Sequence, residues 1–214
     1  MDSERATSPA IPARALAFLV ALALTSGAAP PDRPAKRIWD FERDEPGKIA
    51  GGFTNEAGRW VVARDGQGRV LAQEAESDDD TFNVALAEGT KAKDLDLSVR
   101  LRAVAGKLDQ GGGLVWRAKD ARNYYIARYN PLEDNFRVYK VEAGKRTMFR
   151  DAKVAGDTGW HTLRVTMFGP RITCYLDGKA LLEAEDSTFP DAGRVGLWSK
   201  ADARSYFDDL TLAE

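Results

Sequence analysis

From Ile38 onward, apolar and polar residues alternate with a period of two, the repeat of a strand with one buried and one wetted face. In Asp94–Val104 (DLDLSVRLRAV), Leu95, Leu97, Val99 and Leu101 share one side, and Asp96, Ser98, Arg100 and Arg102 the other. Trp160–Phe168 (WHTLRVTMF) repeats the pattern with Leu163, Val165 and Met167 inward. Turn residues punctuate the runs. Asp65-Gly66-Gln67-Gly68 divides RWVVAR from RVLAQE, Gly169-Pro170 divides WHTLRVTMF from RITCYLD, and Asp177-Gly178 ends the latter. Asp-Gly accepts the positive φ angles of a tight hairpin. Further strands are predicted near 38–42, 81–87, 112–118, 123–129, 135–141, 145–150, 193–199 and 205–212, and no helix is predicted beyond Ile38.

So many short strands at hairpin spacing cannot remain one open twisted sheet. They predict an all-β fold, a two-sheet antiparallel jelly-roll sandwich over 38–214, with a closed barrel as the minor alternative. Residues 1–29 read as an export signal instead. Arg5 and Arg14 precede an apolar run, Ala15–Leu24, and the small residues Ser26, Gly27, Ala28 and Ala29 follow it. Ten residues span only about 15 Å as a helix, half a bilayer core, so export is expected over a membrane span. Pro30–Arg37 (PPDRPAKR) reads as an extended linker.

Composition then removes several chemistries. The chain has 214 residues, with 31 Lys and Arg against 33 Asp and Glu, a net charge of −2 and no basic stripe for phosphates. The single cysteine, Cys174, excludes an internal disulfide and a Cys-rich zinc site. It alternates with Ile172 and Leu176, a buried-strand position. The single histidine, His161, excludes His-pair metal motifs.

The segments GGGLVWRAKDARNYYIARYNP (111–131), GWHTLRVTMFGPRITCYLDGK (159–179) and AGRVGLWSKADARSYFDDLTL (192–212) resemble concanavalin A-like jelly-roll domains of secreted bacterial proteins. The laminin-G-like and 3-keto-disaccharide hydrolase groups (domain of unknown function 1080, family-16 glycoside-hydrolase-like) are the most similar. The resemblance implies the fold and a carbohydrate partner. It leaves open a sugar-binding module, a glycoside hydrolase of the 3-keto-disaccharide type, and a laminin-G-like domain that binds another protein.

Sugar recognition needs flat apolar surfaces ringed by planar donors. If the 112–129 hairpin turns between Asp120 and Ala121, then Leu114, Trp116, Tyr125, Ala127 and Tyr129 share a core face. Arg117, Tyr124 and Arg128 then face a groove, beside Tyr139 on the next strand and Trp198 and Lys200 near the end of the chain; a one-residue slip would mix the two sets. The Glu-x-Asp-x-x-Glu string of family-16 enzymes is absent. His161 is a weak candidate base, although its alternation with Leu163 favours a hydrogen-bonded, largely buried position. Glu42 and Asp209, on acidic-aromatic first and last strands, are weak candidates for a structural Ca²⁺; no other cofactor is expected. Asp78-Asp79-Asp80 reads as a solvated loop.

Overall fold

The structure is a computed structural model that describes Met1, Asp2 and residues 36–214. The expected export segment and most of the expected linker therefore lie outside the described residues. The described chain is all β. Strands β1 (Lys36–Trp39), β2 (Phe53–Ala57), β3 (Trp60–Asp65), β4 (Gly68–Gln73) and β5 (Phe82–Ala87) come first. Next are β6 (Leu95–Ala105), β7 (Gly112–Asp120), β8 (Asn123–Asn130), β9 (Asn135–Glu142) and β10 (Lys145–Lys153). Last come β11 (Trp160–Phe168), β12 (Arg171–Leu176), β13 (Lys179–Glu185), β14 (Arg194–Lys200) and β15 (Arg204–Ala213). No helix among the described residues is long and apolar enough to cross a membrane.

Two antiparallel sheets form the predicted jelly-roll sandwich. One runs β13-β12-β11-β6-β15-β4-β3, with β1 also pairing to β15; the other runs β10-β9-β8-β7-β14-β5-β2. Lys36 and Arg37, expected as linker, already pair with Ala213 and Leu212. Strand β2 was not anticipated. Its sequence, FTNEA, has one fully buried residue and pairs only at a sheet edge, so it carries little hydrophobic signal.

Parity decides which side chains meet between the sheets. Leu97, Val99 and Leu101 of β6 and Leu163, Val165 and Met167 of β11 join Leu114, Trp116, Tyr125, Ala127, Phe136 and Leu197 in the main core. Trp116 stacks on Tyr125 at 5.6 Å and its indole N–H donates to the Met167 sulfur at 3.1 Å. Cys174 lies in this core as a free thiol, and burial pushes its pKa up, which keeps it protonated and inert. At the β12–β13 hairpin, Asp177 and Gly178 have φ of 49° and 78°, as a primed turn requires.

The seven-stranded sheet also buries its outer face. Val84, Leu86, Val115, Tyr124, Ile126, Tyr139, Val141 and Trp198 form a second apolar cluster there, with Phe82 against it. These residues alternate along their strands with core residues, so the same period-two pattern fills both sides of one sheet.

The β7–β8 ladder follows the expected pairing, Trp116 opposite Tyr125 and Leu114 opposite Ala127, but the turn does not. Asp120 pairs with Asn123, so Ala121 and Arg122 make the turn, and a bulge between Trp116 and Asp120 absorbs the difference. Arg117 occupies that bulge at φ 46°, out of line with the face on which alternation placed it. Its guanidinium donates to the carbonyls of Lys93 (2.8 Å), Phe189 (3.0 Å) and Gly169 (2.8 Å), and Asp94 lies 3.5 Å away. Arg117 is thus a bolt joining three loops, separate from the groove it was expected to line. Replacing it with Met orphans three carbonyls; we expect a loss of about 3 kcal/mol, a melting temperature lower by roughly 9 °C. Thermal denaturation of Arg117→Met checks this, and an unchanged melting temperature contradicts it.

Candidate functional site

One end of the second apolar cluster carries the charged side chains. The rings form its floor: Trp198 and Tyr124 have no exposed surface, and the indole N–H of Trp198 donates to the Tyr124 hydroxyl at 3.1 Å. Burial pushes the Tyr124 pKa up, so this hydroxyl stays neutral. Arg146, on edge strand β10, lies across the floor, with its guanidinium carbon 4.6 Å from the Tyr139 ring centre, 5.4 Å from Phe82 and 5.8 Å from Trp198. Trp198, Tyr124 and Tyr139, expected to face the sugar directly, are capped by this guanidinium and by each other. They support the site from beneath.

Polar groups converge above the floor. Arg128 of β8 is 1% exposed, an expensive place for a cation unless charge answers it. Its Nη1 is 3.8 Å from Asp109 Oδ2 and its Nη2 is 2.9 Å from Glu133 Oε2. The Nη2 contact is not aligned as a hydrogen bond, and Nε also lacks an acceptor. Arg146 Nη1 is likewise buried without a partner. Two guanidinium groups therefore hold three buried nitrogens without an aligned acceptor, one of them, Arg128 Nη2, ion-paired with Glu133, and a ligand that supplies oxygen atoms would gain the hydrogen bonds they lack.

The acids complete the arrangement. Asp109, from the β6–β7 loop, is 2% exposed; its Oδ1 accepts from Asn130 Nδ2 at 2.9 Å. Its Oδ2 has only Arg128 and Lys200 at 3.8 and 3.9 Å, beyond hydrogen-bond length. Burial raises the Asp109 pKa, against the opposing pull of Arg128 and Lys200. Glu133 is held below its usual value: burial pushes it up, but the Asn135 amide and Arg128 outweigh that. Lys200, at the end of β14, makes its short contact to Asp79 Oδ1 at 2.5 Å. Asp79, Asp109 and Glu133, with Asp151 beside Arg137 at 3.0 Å, thus balance Arg128, Arg146, Lys200 and Arg137, four against four.

Of the residues named from sequence, Arg128, Tyr124, Tyr139, Trp198 and Lys200 come together here and Arg117 does not. Asp109, Glu133, Arg146 and Phe82 were missed, and Asp79 had been read as part of a solvated loop. Asp79, Asp109 and Glu133 come from loops and Arg146 from an edge strand, where alternation says little about neighbours, while Phe82 opens the interior strand β5. Arg146 is the exception, because it pairs with Val141, whose outward side was readable.

His161 sits apart, on β11 with its ring 4.7 Å from that of Tyr129. Its Nδ1 meets Asp177 Oδ2 at 2.8 Å and its Nε2 meets Asp157 Oδ1 at 3.0 Å, so neither nitrogen is free to take a substrate proton. Glu42 Oε1 accepts from the Arg69 amide at 3.2 Å, and Asp209 Oδ2 faces Arg100 at 3.4 Å. Among the described residues, no group of three or more His, Cys, Asp or Glu is placed to hold a metal ion.

No protein-family model matches the sequence. The chain is 30% identical over 185 residues to levanase of Bacillus subtilis strain 168; the match covers 83% of this chain and about a quarter (25%) of that protein. Among solved structures it is similar to the carbohydrate-binding module CBM66 from Bacillus subtilis, with 25% identity and TM-score 0.66 over 76% of this chain and 96% of that one. A Bacillus subtilis protein of unknown function with a galectin-like fold aligns with TM-score 0.56 and 13% identity, over 75% of this chain and 88% of that one. The fold is that of the jelly-roll carbohydrate-binding domains.

The imidazole yields a pH prediction. Burial lowers the His161 pKa, but hydrogen bonds from its ring to the Asp177 and Asp157 carboxylates raise it by more, so the net shift is upward from 6.5. A folded-state pKa above the unfolded one stabilises fully below about pH 6.5, and the gain is lost as pH rises through the folded value. Urea midpoints from pH 5.5 to 9 should fall for the native chain and flatten for His161→Asn; parallel profiles would exclude the linkage.

Proposed function

We propose that this is an exported carbohydrate-binding domain whose site takes a neutral, hydroxyl-rich sugar in the cluster of Asp109, Arg128, Glu133, Arg146 and Lys200. One observation carries the reading: buried guanidinium nitrogens without an aligned acceptor lie beside an Asp109 carboxylate oxygen that has only Arg128 and Lys200 near it, at 3.8 and 3.9 Å. A sugar hydroxyl both accepts and donates, so neighbouring hydroxyls would satisfy both deficits. The balanced charge supports a neutral ligand over an anionic one. The similarity to levanase and to CBM66 supports a glycan, and makes levan the first ligand to test. The apolar run at residues 15–24 supports export.

Calorimetric titration with levan, inulin, xylan and β-glucan tests the reading. Levan is expected to bind, Arg146→Ala to weaken it at least tenfold, and Arg117→Met to leave affinity within twofold at 25 °C. Absence of heat with every glycan would overturn the proposal.

A second reading has its own observation. Asp109 and Glu133 are shifted in opposite directions, the pattern of a general acid beside an ionised partner. In a glycoside hydrolase of the 3-keto-disaccharide type, Asp109 would protonate the leaving oxygen. Binding is favoured because the ionised member, Glu133, already has its Oε2 engaged by Asn135 Nδ2 (2.9 Å) and Arg137 Nη1 (2.8 Å). Reducing-sugar release from levan or a 3-keto-glucoside, abolished in Asp109→Asn, would reverse that preference; a flat time course supports binding alone.

A further inference from the structure

Asp109 reaches the site from a loop, and that loop is closed by one residue outside the cluster. Asp202, in the β14–β15 turn, accepts three consecutive backbone amides: Lys107 N to Oδ2 at 2.8 Å, then Leu108 N and Asp109 N to Oδ1 at 3.0 and 3.1 Å. Successive amides turned inward make an anion-binding nest, here filled by the chain's own carboxylate. The loop is tight enough to need glycine at its start: Gly106 has φ 151°, and a Cβ there would lie 1.8 Å from the Asp109 carbonyl oxygen. Among the described residues Asp202 forms no salt bridge, so its bonds are to the loop backbone, not to a neighbouring cation. Those amide bonds lower its pKa in spite of burial, which keeps it ionised.

The same turn holds the other acidic loop. Ala201 donates its amide to Thr81 O at 3.0 Å and accepts from Ser77 N at 3.3 Å and Asn83 Nδ2 at 3.2 Å. Lys200, immediately before it, faces both Asp79 and Asp109. A single turn therefore sets two loops and the lysine between them.

We infer that Asp202 is a positioning residue for the sugar site: by clamping the amides of residues 107–109 it fixes the Asp109 carboxylate beside Arg128 and Lys200. The inference rests on the binding reading for its functional consequence, but the clamp can be tested without any sugar. In the native protein, the amide proton signals of Lys107, Leu108 and Asp109 should lie downfield and shift together as the Asp202 carboxyl is titrated with acid. Three amides that titrate independently of Asp202 overturn the clamp, whatever the variants do.

Asp202→Ala should move the Asp109 carboxyl resonance toward that of a solvated aspartate and weaken levan binding at least tenfold. Asp202→Asn, which keeps one acceptor oxygen, should recover part of both effects. Levan binding within twofold of native in Asp202→Ala overturns the positioning role while leaving the sugar site standing. If native protein binds none of the glycans, the sugar reading fails separately. The Asp109 resonance then decides: unmoved in Asp202→Ala it overturns the clamp, displaced it upholds it.

Discussion

Arg128 cannot lie 1% exposed in a protein interior without opposite charge, and the organisation of the site follows from that requirement. Strand β8 delivers the guanidinium to the outer face of the seven-stranded sheet, where an apolar cluster removes water. Two acids then come from the loops on either side: Asp109 before β7 and Glu133 after β8. Neither neutralises Arg128 by an aligned pair of hydrogen bonds. The charge is answered, but the hydrogen-bond geometry is left incomplete, and this leaves capacity for a ligand.

Strand order explains why the groups meet. In β10-β9-β8-β7-β14-β5, the edge strand β10 contributes Arg146, β9 Tyr139, β8 Tyr124 and Arg128, β14 Trp198 and Lys200, and β5 Phe82. Five of these six neighbouring strands thus supply one aromatic floor and its cationic cover. Burying that floor is worth several kcal/mol for each large ring, so the cover is held on a rigid base. The outer face of the eight-stranded sheet contrasts with it: Arg164 pairs with Asp96 by two hydrogen bonds of 2.7 and 2.6 Å over Tyr175, and Arg102 bonds Asp65 at 2.8 Å. Those cations are already matched.

Much of this was legible in the sequence, and the rest was hidden for physical reasons. Period-two alternation assigned Leu114, Trp116 and Tyr125 to the core and Tyr124, Arg128 and Trp198 to the opposite face, because parity is a property of the strand itself. It misplaced Arg117, since a bulge breaks parity locally and nothing in VWRAKD announces one. Asp109 and Glu133 were missed because a loop residue's neighbours depend on which strands lie side by side. Arg146 stands on an edge strand whose other residues are mostly exposed, so its pairing with Val141 indicates its face, but its contacts with Phe82, Tyr139 and Trp198 are tertiary.

The central claim is that the unmatched guanidinium donors are where sugar binds. Side-chain ¹⁵N spectra of the arginines, recorded while levan oligosaccharide is added, test it most directly. The account predicts that the Arg128 and Arg146 signals shift and saturate while those of Arg100, Arg102 and Arg164 stay in place. Shifts confined to the latter three, with Arg128 and Arg146 unmoved, would contradict it.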